Sequence, residues 1–349
     1  MIDFRYHVVS LISVFLALAV GIALGAGPLK ESIGAQLTGQ VEQLRNEKSD
    51  LREQLDEERA DANLTRAFAL ATVDDLLGEL LTDRTVAVIT TPGVEKQTVD
   101  GTTERLEQAG ASITARFDLQ DSWTSPGQRA FRSSLASSLR EYLDPVPEEA
   151  TGVEEQLATA LGQMLTAHSD SDATQLSDNS SMLQELLVSA DLLTPVSAQT
   201  APADLIVVLV PPTPEDDDEE ARDSLESFNE SIAELAVVLE DIAEGVVIAG
   251  SGEESEDVLF VLRKDHAGVV TTVDGVDHLT GQMTAVLALA DAVVEPGNAY
   301  GARANADLVA PGRTVLDPPD RSLPDTEDDA DDEDEEVANT DDADTAEDQ

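Results

Sequence analysis

No cysteine occurs among the 349 residues. Disulfides, thiol nucleophiles, iron–sulfur clusters and thiolate metal sites are thereby excluded. The redox compartment stays open, because a chain without cysteine suits either. Aromatic residues make up only 3%, so a core must be aliphatic, and the 41% hydrophobic content is enough to build one. Positive charge is scarce as well. Twenty Lys+Arg, of which only Lys30, Lys48, Lys96 and Lys264 are lysine, stand against 72 Asp+Glu, for a net charge of -52. A field of that sign repels phosphate backbones, so no nucleic-acid partner is expected. GxGxxG, P-loop and GxSxG sequences are absent, so no catalytic or cofactor-binding residue is identified and an enzyme is not expected. The weakest of three functional readings is an enzyme on the outer face of a membrane.

The acidic excess has two parts. Residues from Asp317 onward carry 17 acids and one base, Arg321, while the rest of the chain still carries -36. Such a fold repels itself unless cations screen it. A salt-rich host and a merely acidic envelope protein both fit. They differ in whether thermal stability rises between low and molar salt.

What the sequence has most clearly is an apolar run at its start. Val8 to Leu29 is 22 residues without charge, with only Ser10 and Ser13 polar. As a helix it spans about 33 Å, enough for a bilayer core. Arg5 precedes it and an acidic chain follows, which predicts a cytoplasmic N-terminus and an extracytoplasmic remainder at the plasma membrane. The competing reading, a cleaved signal peptide, expects a shorter apolar region and a more basic start. Ala17, Gly21 and Gly25 fall four apart, a small-residue ladder that lets two membrane helices approach closely.

After Gly27-Pro28, where a break or bend is expected, a long polar helix is predicted from about Lys30 to Thr82, about 80 Å if fully helical. With Leu37, Leu44, Leu51 and Glu58 at heptad position d, position a holds Val41, Lys48, Leu55 and Ala62. Six of these eight are apolar. Positions e hold Arg45, Arg52 and Arg59, and positions g hold Gln40, Glu47, Gln54 and Asp61. In a parallel pair Glu47 faces Arg52 of the other chain, so a parallel homodimer is expected. Lys48 at position a costs stability but disfavours other registers. The alternative is one amphipathic helix lying on its own domain.

From Thr85 short apolar runs alternate with helical stretches. Strands are expected at Val86–Thr91, Ser112–Leu119, Leu205–Val210, Gly245–Gly252 and Val269–Asp274. Helices are expected at about 95–108, 127–143, 152–167, 177–191, 218–244 and 280–293. Val258–Leu262 is ambiguous. The alternation predicts a mostly parallel sheet with helices on both faces. The expected organisation is an anchor at 1–29, a parallel coiled coil at 30–82, an α/β domain at 83–315 and a disordered acidic tail at 316–349.

Several small motifs carry weak chemistry. Thr90-Thr91-Pro92-Gly93 would place an anion at a helix N-terminus, though such a turn is more often only a cap. Gly250 to Glu256 follows a strand, but its acids oppose phosphate. Asp274, Asp277 and His278 would make an oxygen-rich cation site, against a plain strand-to-helix turn with an Asp cap. Asp216 to Glu220 reads as an acid-rich helix start. His7, His168, His266 and His278 lie at no metal-ligand spacing, and no MxxM pair exists. The metal-binding residues, if any, are therefore unknown.

The opening MIDFRYHVVSLISVFLALAVGIALG, the helix after it and the closing TTVDGVDHLTGQMTAVLALADAV resemble the actinobacterial MctB family over about residues 1–315. The resemblance implies a single-span envelope protein of copper homeostasis, described as a copper transporter or pore. Copper as a ligand is implied only by this resemblance. Related members, known as SteB, are described as envelope proteins that act beside a membrane partner in envelope integrity and cell separation. Two leading readings follow: copper efflux through an oligomer, or a non-transporting envelope scaffold that docks a protein partner. Copper(I) selects Cys and Met, which are absent or sparse here.

Overall fold

The computed structural model describes residues 4–26, 28–148, 151–213, 218–252, 256–303 and 305–323. Gly27, Asp216, Asp217, the 253–255 part of the acidic turn and the expected tail from residue 324 lie outside the described residues. Contacts divide the chain into two units, residues 1–72 and 73–349.

The first unit is helical. α1 runs Phe4–Ala26 and α2 runs Pro28–Leu77, with its last turn, from Val73, belonging to the second unit. The apolar helix is therefore present, and Phe4–Gly25 is long and apolar enough to cross a membrane. Pro28 sits at the first position of α2, where its missing N–H loses no helix bond. α2 stops five residues short of the expected Thr82. The Gly78 N–H donates to Asp74 O at 2.9 Å, Glu79 and Asp83 take positive φ, and Leu80 and Leu81 turn into the core. Burying those two leucines outweighs continuing a polar helix.

The second unit is α/β. In chain order it contains β1 (Thr85–Thr90), α3 (Lys96–Gln108), β2 (Ser112–Leu119), α4 (Asp121–Thr124), α5 (Arg129–Leu139) and α6 (Val153–Thr166). There follow β3 (His168–Ser169), β4 (Asp172–Leu176), α7 (Asp178–Ser189), β5 (Leu193–Ser197), β6 (Leu205–Leu209), α8 (Glu219–Ile242) and β7 (Gly245–Ala249). The last elements are α9 (Val258–Asp265), β8 (Thr271–Val273), α10 (Leu279–Ala292) and β9 (Ala299–Tyr300).

Seven strands form one open sheet in the order β5-β2-β1-β6-β7-β8-β9, and β3 and β4 form a separate ribbon. All neighbours in the large sheet are parallel except β2 and β5. The parallel core strands β6 and β7 are wholly buried, which is why they read as unbroken aliphatic runs. Alternate residues face opposite layers. Ile206, Val208, Val246 and Ile248 join α5, α6, α8 and α9 in one cluster, while α3 and α10 pack together and α10 lies on β7 and β8.

Four strands escaped the sequence reading. β5 reads LTPVS with only Leu193 buried, and its Pro195 is tolerated because it lies on an edge. β9 is two residues long, and the β3–β4 ribbon is polar. The ambiguous segment at 258–262 is helix α9. Its Asp257 cap accepts a bond from Leu259 N at 2.8 Å.

Residues 305–323 run back across the unit without regular structure. Arg313 donates to Asp75 O at 3.1 Å and Gly78 O at 2.6 Å, satisfying carbonyls at the end of α2. Arg321 donates to Asp83 O at 3.0 Å and Asp204 Oδ2 at 2.8 Å, and Arg84 donates to Asp317 O at 3.0 Å. The first part of the segment expected as a tail is thus fastened to the amino edge of the sheet. Asp204, Glu244 and Arg84 there precede β6, β7 and β1.

Candidate functional site at the carboxyl edge of the sheet

Ligands of open parallel sheets settle where strand order reverses, outside the strands' carboxyl ends. Here the chain leaves β1 for β2 on one side and later enters β6 on the other, so the reversal lies between β1 and β6. Turn chemistry opens the crevice. Gly93 takes φ +91° after Pro92, Pro211-Pro212 ends β6, and Gly252 and Gly275 take φ +63° and +74° after β7 and β8. The strand ends are laced together: Thr91 N and Oγ1 both donate to Leu209 O at 3.0 Å, and Val276 N donates to Gly250 O at 3.2 Å.

The crevice encloses about 360 Å³, walled by Glu95, the cap residue of α3, Thr98 of its first turn, Pro211, Ser251, Val276 and Asp277. A second hollow of about 530 Å³ adjoins the ends of β1 and β2, with Thr91, Lys96, Arg116 and Asp118 on its walls. Lys96 and Arg116 both reach Asp100, at 2.5 and 3.7 Å. The Lys96 hydrogen bond is the main reason the Asp100 carboxyl sits below its ordinary range. Burial pushes Asp118 upward, with Arg116 opposing. The two cations near the Thr90–Gly93 turn are therefore engaged, and Glu95, the cap residue of α3, adds a negative charge. The site does not favour an anion.

Asp274 is the best-held group on this edge. Arg263 Nη1 donates to its Oδ2 at 3.0 Å, and both side chains are 2% exposed. Arg263 also donates to Thr272 Oγ1 at 2.9 Å and Tyr300 O at 2.8 Å. Ala302 N and Arg303 N donate to the carboxylate at 2.9 and 3.2 Å. Gly301, at φ +135°, is required here, since a Cβ would lie 2.1 Å from Asp274 Cγ. Asp274 therefore joins β8 to the loop after β9 and is spoken for as an acceptor. Asp277 instead lies 3.9 Å from Arg303 Nη2 and 3.3 Å from His278 Nδ1.

The structure thus brings the Thr90–Gly93 turn, Ser251 and the Asp274–His278 turn to one edge, but not as a cation cluster. Among the described residues no group of three His, Cys, Asp or Glu is placed to hold a metal ion. The expected Asp cap of α10 is also corrected: its cap residue is His278, which makes no side-chain cap bond. Sequence reasoning missed Arg263 and Arg303. An apolar VLFVL run behind an Asp cap and ahead of Arg263 was the available signal.

The residues singled out in the first unit lie on its surface. Gly21 and Gly25 of α1 have nothing within 4 Å of an added Cβ, and Ala17 on the same face is exposed. On α2, Leu37, Val41, Leu44, Leu51 and Leu55 are 45–64% exposed within one chain. Lys48 and Ala62 are exposed too, as are Glu47 and Arg52. Glu47 accepts a bond from Gln43 at 2.8 Å.

Residues 1–311 match the family described as "Copper transport outer membrane protein, MctB". The chain is 24% identical over 302 residues to copper transporter MctB of Mycobacterium tuberculosis, covering 84% of this chain and 93% of that one. It is 25% identical over 311 residues to copper transporter MctB of Mycobacterium leprae, covering 83% and 93%. The apolar helix, the long helix and every strand and helix of the α/β unit fall within residues 1–311, and the chain belongs to the MctB family.

Proposed function

We propose that this chain is a single-span protein of the plasma membrane that carries its α/β unit outside the cytoplasm and serves copper efflux. The observation that carries the reading is the extent of the match: the family match takes in the apolar helix as well as the folded unit, and a copper transporter of Mycobacterium tuberculosis matches over 84% of the chain. α1, the one helix among the described residues long and apolar enough to span, has Arg5 before it and an acidic chain after it, which supports the orientation.

Copper is treated as cargo. The described residues offer no soft-ligand cluster: Met164 and Met283 are buried on separate helices, and Met182 lies on a third. One helix makes no aqueous path, and the large sheet is open, with its central strands buried between helices rather than closed into a barrel. In this reading the chain acts through an oligomer or an envelope partner that completes the path. The family description names the outer membrane; a helix of 22 residues apolar enough to cross a bilayer fits a plasma-membrane anchor.

The test is copper per cell in a deletion strain under modest copper load, with zinc measured in the same samples. Copper is expected to rise selectively and to return to normal with the intact gene. Unchanged copper, or copper and zinc rising together, would overturn the reading in favour of a non-transporting envelope scaffold.

A further inference from the structure

α2 presents a seam that its own unit leaves uncovered. Leu37, Val41, Leu44, Leu51 and Leu55 recur at spacings of four, three, seven and four, which is one stripe of a helix. Each is about half exposed or more. Leaving such a stripe in water forgoes the hydrophobic gain of burial. A 50-residue helix with such a face ordinarily gains its stability from packing it.

The charges flanking the stripe say what covers it. One flank carries Arg45, Arg52 and Arg59; the other carries Gln40, Glu47, Gln54 and Asp61. Among the described residues Arg45 and Arg52 make no ion pair within their own chain, and Arg59 reaches Asp56 only at 3.8 Å on an exposed surface. In a parallel pair the two unlike flanks meet, so Glu47 faces Arg52. In an antiparallel pair like flanks meet, and arginine faces arginine. Both halves of the favourable pairing come from one sequence, so the surface is complementary to itself.

We propose that the α2 seam docks a second copy of this chain, parallel and in register, through Leu37, Val41, Leu44, Leu51, Leu55 and Ala62, with Glu47 of each copy paired to Arg52 of the other. Lys48, at a seam position, lowers the stability of the pair and penalises shifted registers, since only in register do the two lysines fall at one level beside Glu47. The small-residue face of α1 continues the same two-fold arrangement within the membrane. The proposal stands independently of the copper reading: a scaffold would use the same surface.

The absence of native cysteine gives a clean test in membranes holding the full chain. Leu37→Cys and Leu51→Cys lie on the seam; Glu53→Cys lies on the opposite face. Under mild oxidation both seam variants should form covalent dimers, and Glu53→Cys should form several-fold less. Two differently tagged copies should appear together in the product. Glu47→Arg and Arg52→Glu, each placed in the Leu51→Cys background, should lower the dimer several-fold, and the double exchange should recover it. An antiparallel pair can bring only one position opposite itself. Cross-linking at only one of the two seam positions would therefore overturn the proposal. So would cross-linking no greater than at Glu53→Cys, attachment to a protein of another mass instead of the tagged copy, or no recovery in the double exchange.

Discussion

β6 and α2 are both rich in aliphatic side chains, yet they hold them under opposite conditions. Every residue of β6 is buried, whereas Leu44 and Leu51 of α2 are 63% and 64% exposed. β6 lies between two strands of its own chain, with helices on both faces. The contrast is between a region whose apolar side chains are packed within it and a helix whose apolar stripe is exposed. In the α/β unit acidic side chains cap helices, as Asp218 and Asp257 do, and the buried Asp274 is paired with Arg263.

The contrast can be broken or sharpened by substitution. The largest effect is expected inside the α/β unit. Asp274→Ala removes a carboxylate from the buried Arg263 guanidinium and should cost about 3–5 kcal/mol. Urea unfolding followed by the single tryptophan, buried Trp123, reads it; a loss below about 1 kcal/mol would show that the Arg263–Asp274 pair does not hold β8 to the loop after β9.

A smaller effect belongs to Glu240 on α8. Burial foremost, and Asp241 next, push its carboxyl from 4.5 up to about 7. Its Oε2 is buried with no hydrogen-bond partner among the described residues. Between those two values the folded chain keeps a proton that the unfolded chain has released. This contribution to stability is therefore present at low pH and lost as pH rises through that window. Glu240→Gln should flatten the decline and leave the protein more stable than the parent at pH 8. An unchanged slope would mean that Glu240 is not its source.

The protein should also gain thermal stability between low and molar salt, because screening relieves the chain's net charge of -52. A melting temperature that does not rise contradicts the salt-rich reading. The smallest effect on the α/β unit is expected from Leu51→Asp. Its unfolding, followed at Trp123, should stay within about 0.5 kcal/mol of the parent, while cross-linking through Leu37→Cys is lost. A large loss of α/β stability would show that the two regions are not separate in their energetics.

Legibility followed the same division. β1, β6 and β7 were readable because parallel strands buried on both faces write themselves as aliphatic runs, β2 because its buried residues alternate, and α1 because it is one long apolar stretch. β5 and β9 were not readable. Their pairing is conferred by neighbours, and Leu193 alone is too little signal. The end of α2 was missed because Leu80 and Leu81 continue a helical pattern yet are claimed by the core. At the carboxyl edge the Thr90–Gly93 and Asp274–Asp277 turns were visible as strand ends. The Arg263–Asp274 contact was not, because only the folded sheet brings α9, β8 and the 300–303 loop together. The helix that carries Val41, Leu44 and the arginines beside them was legible, since its pattern is local to one element.

The account rests most directly on α1 holding the α/β unit at the outer face of the plasma membrane. Ser134, exposed on α5, can be replaced by cysteine in this cysteine-free chain. Intact spheroplasts would then be treated with a membrane-impermeant maleimide. The account predicts labelling of Ser134→Cys without lysis, on protein that sediments with membranes. Labelling only after lysis, or recovery in the soluble fraction, would contradict it.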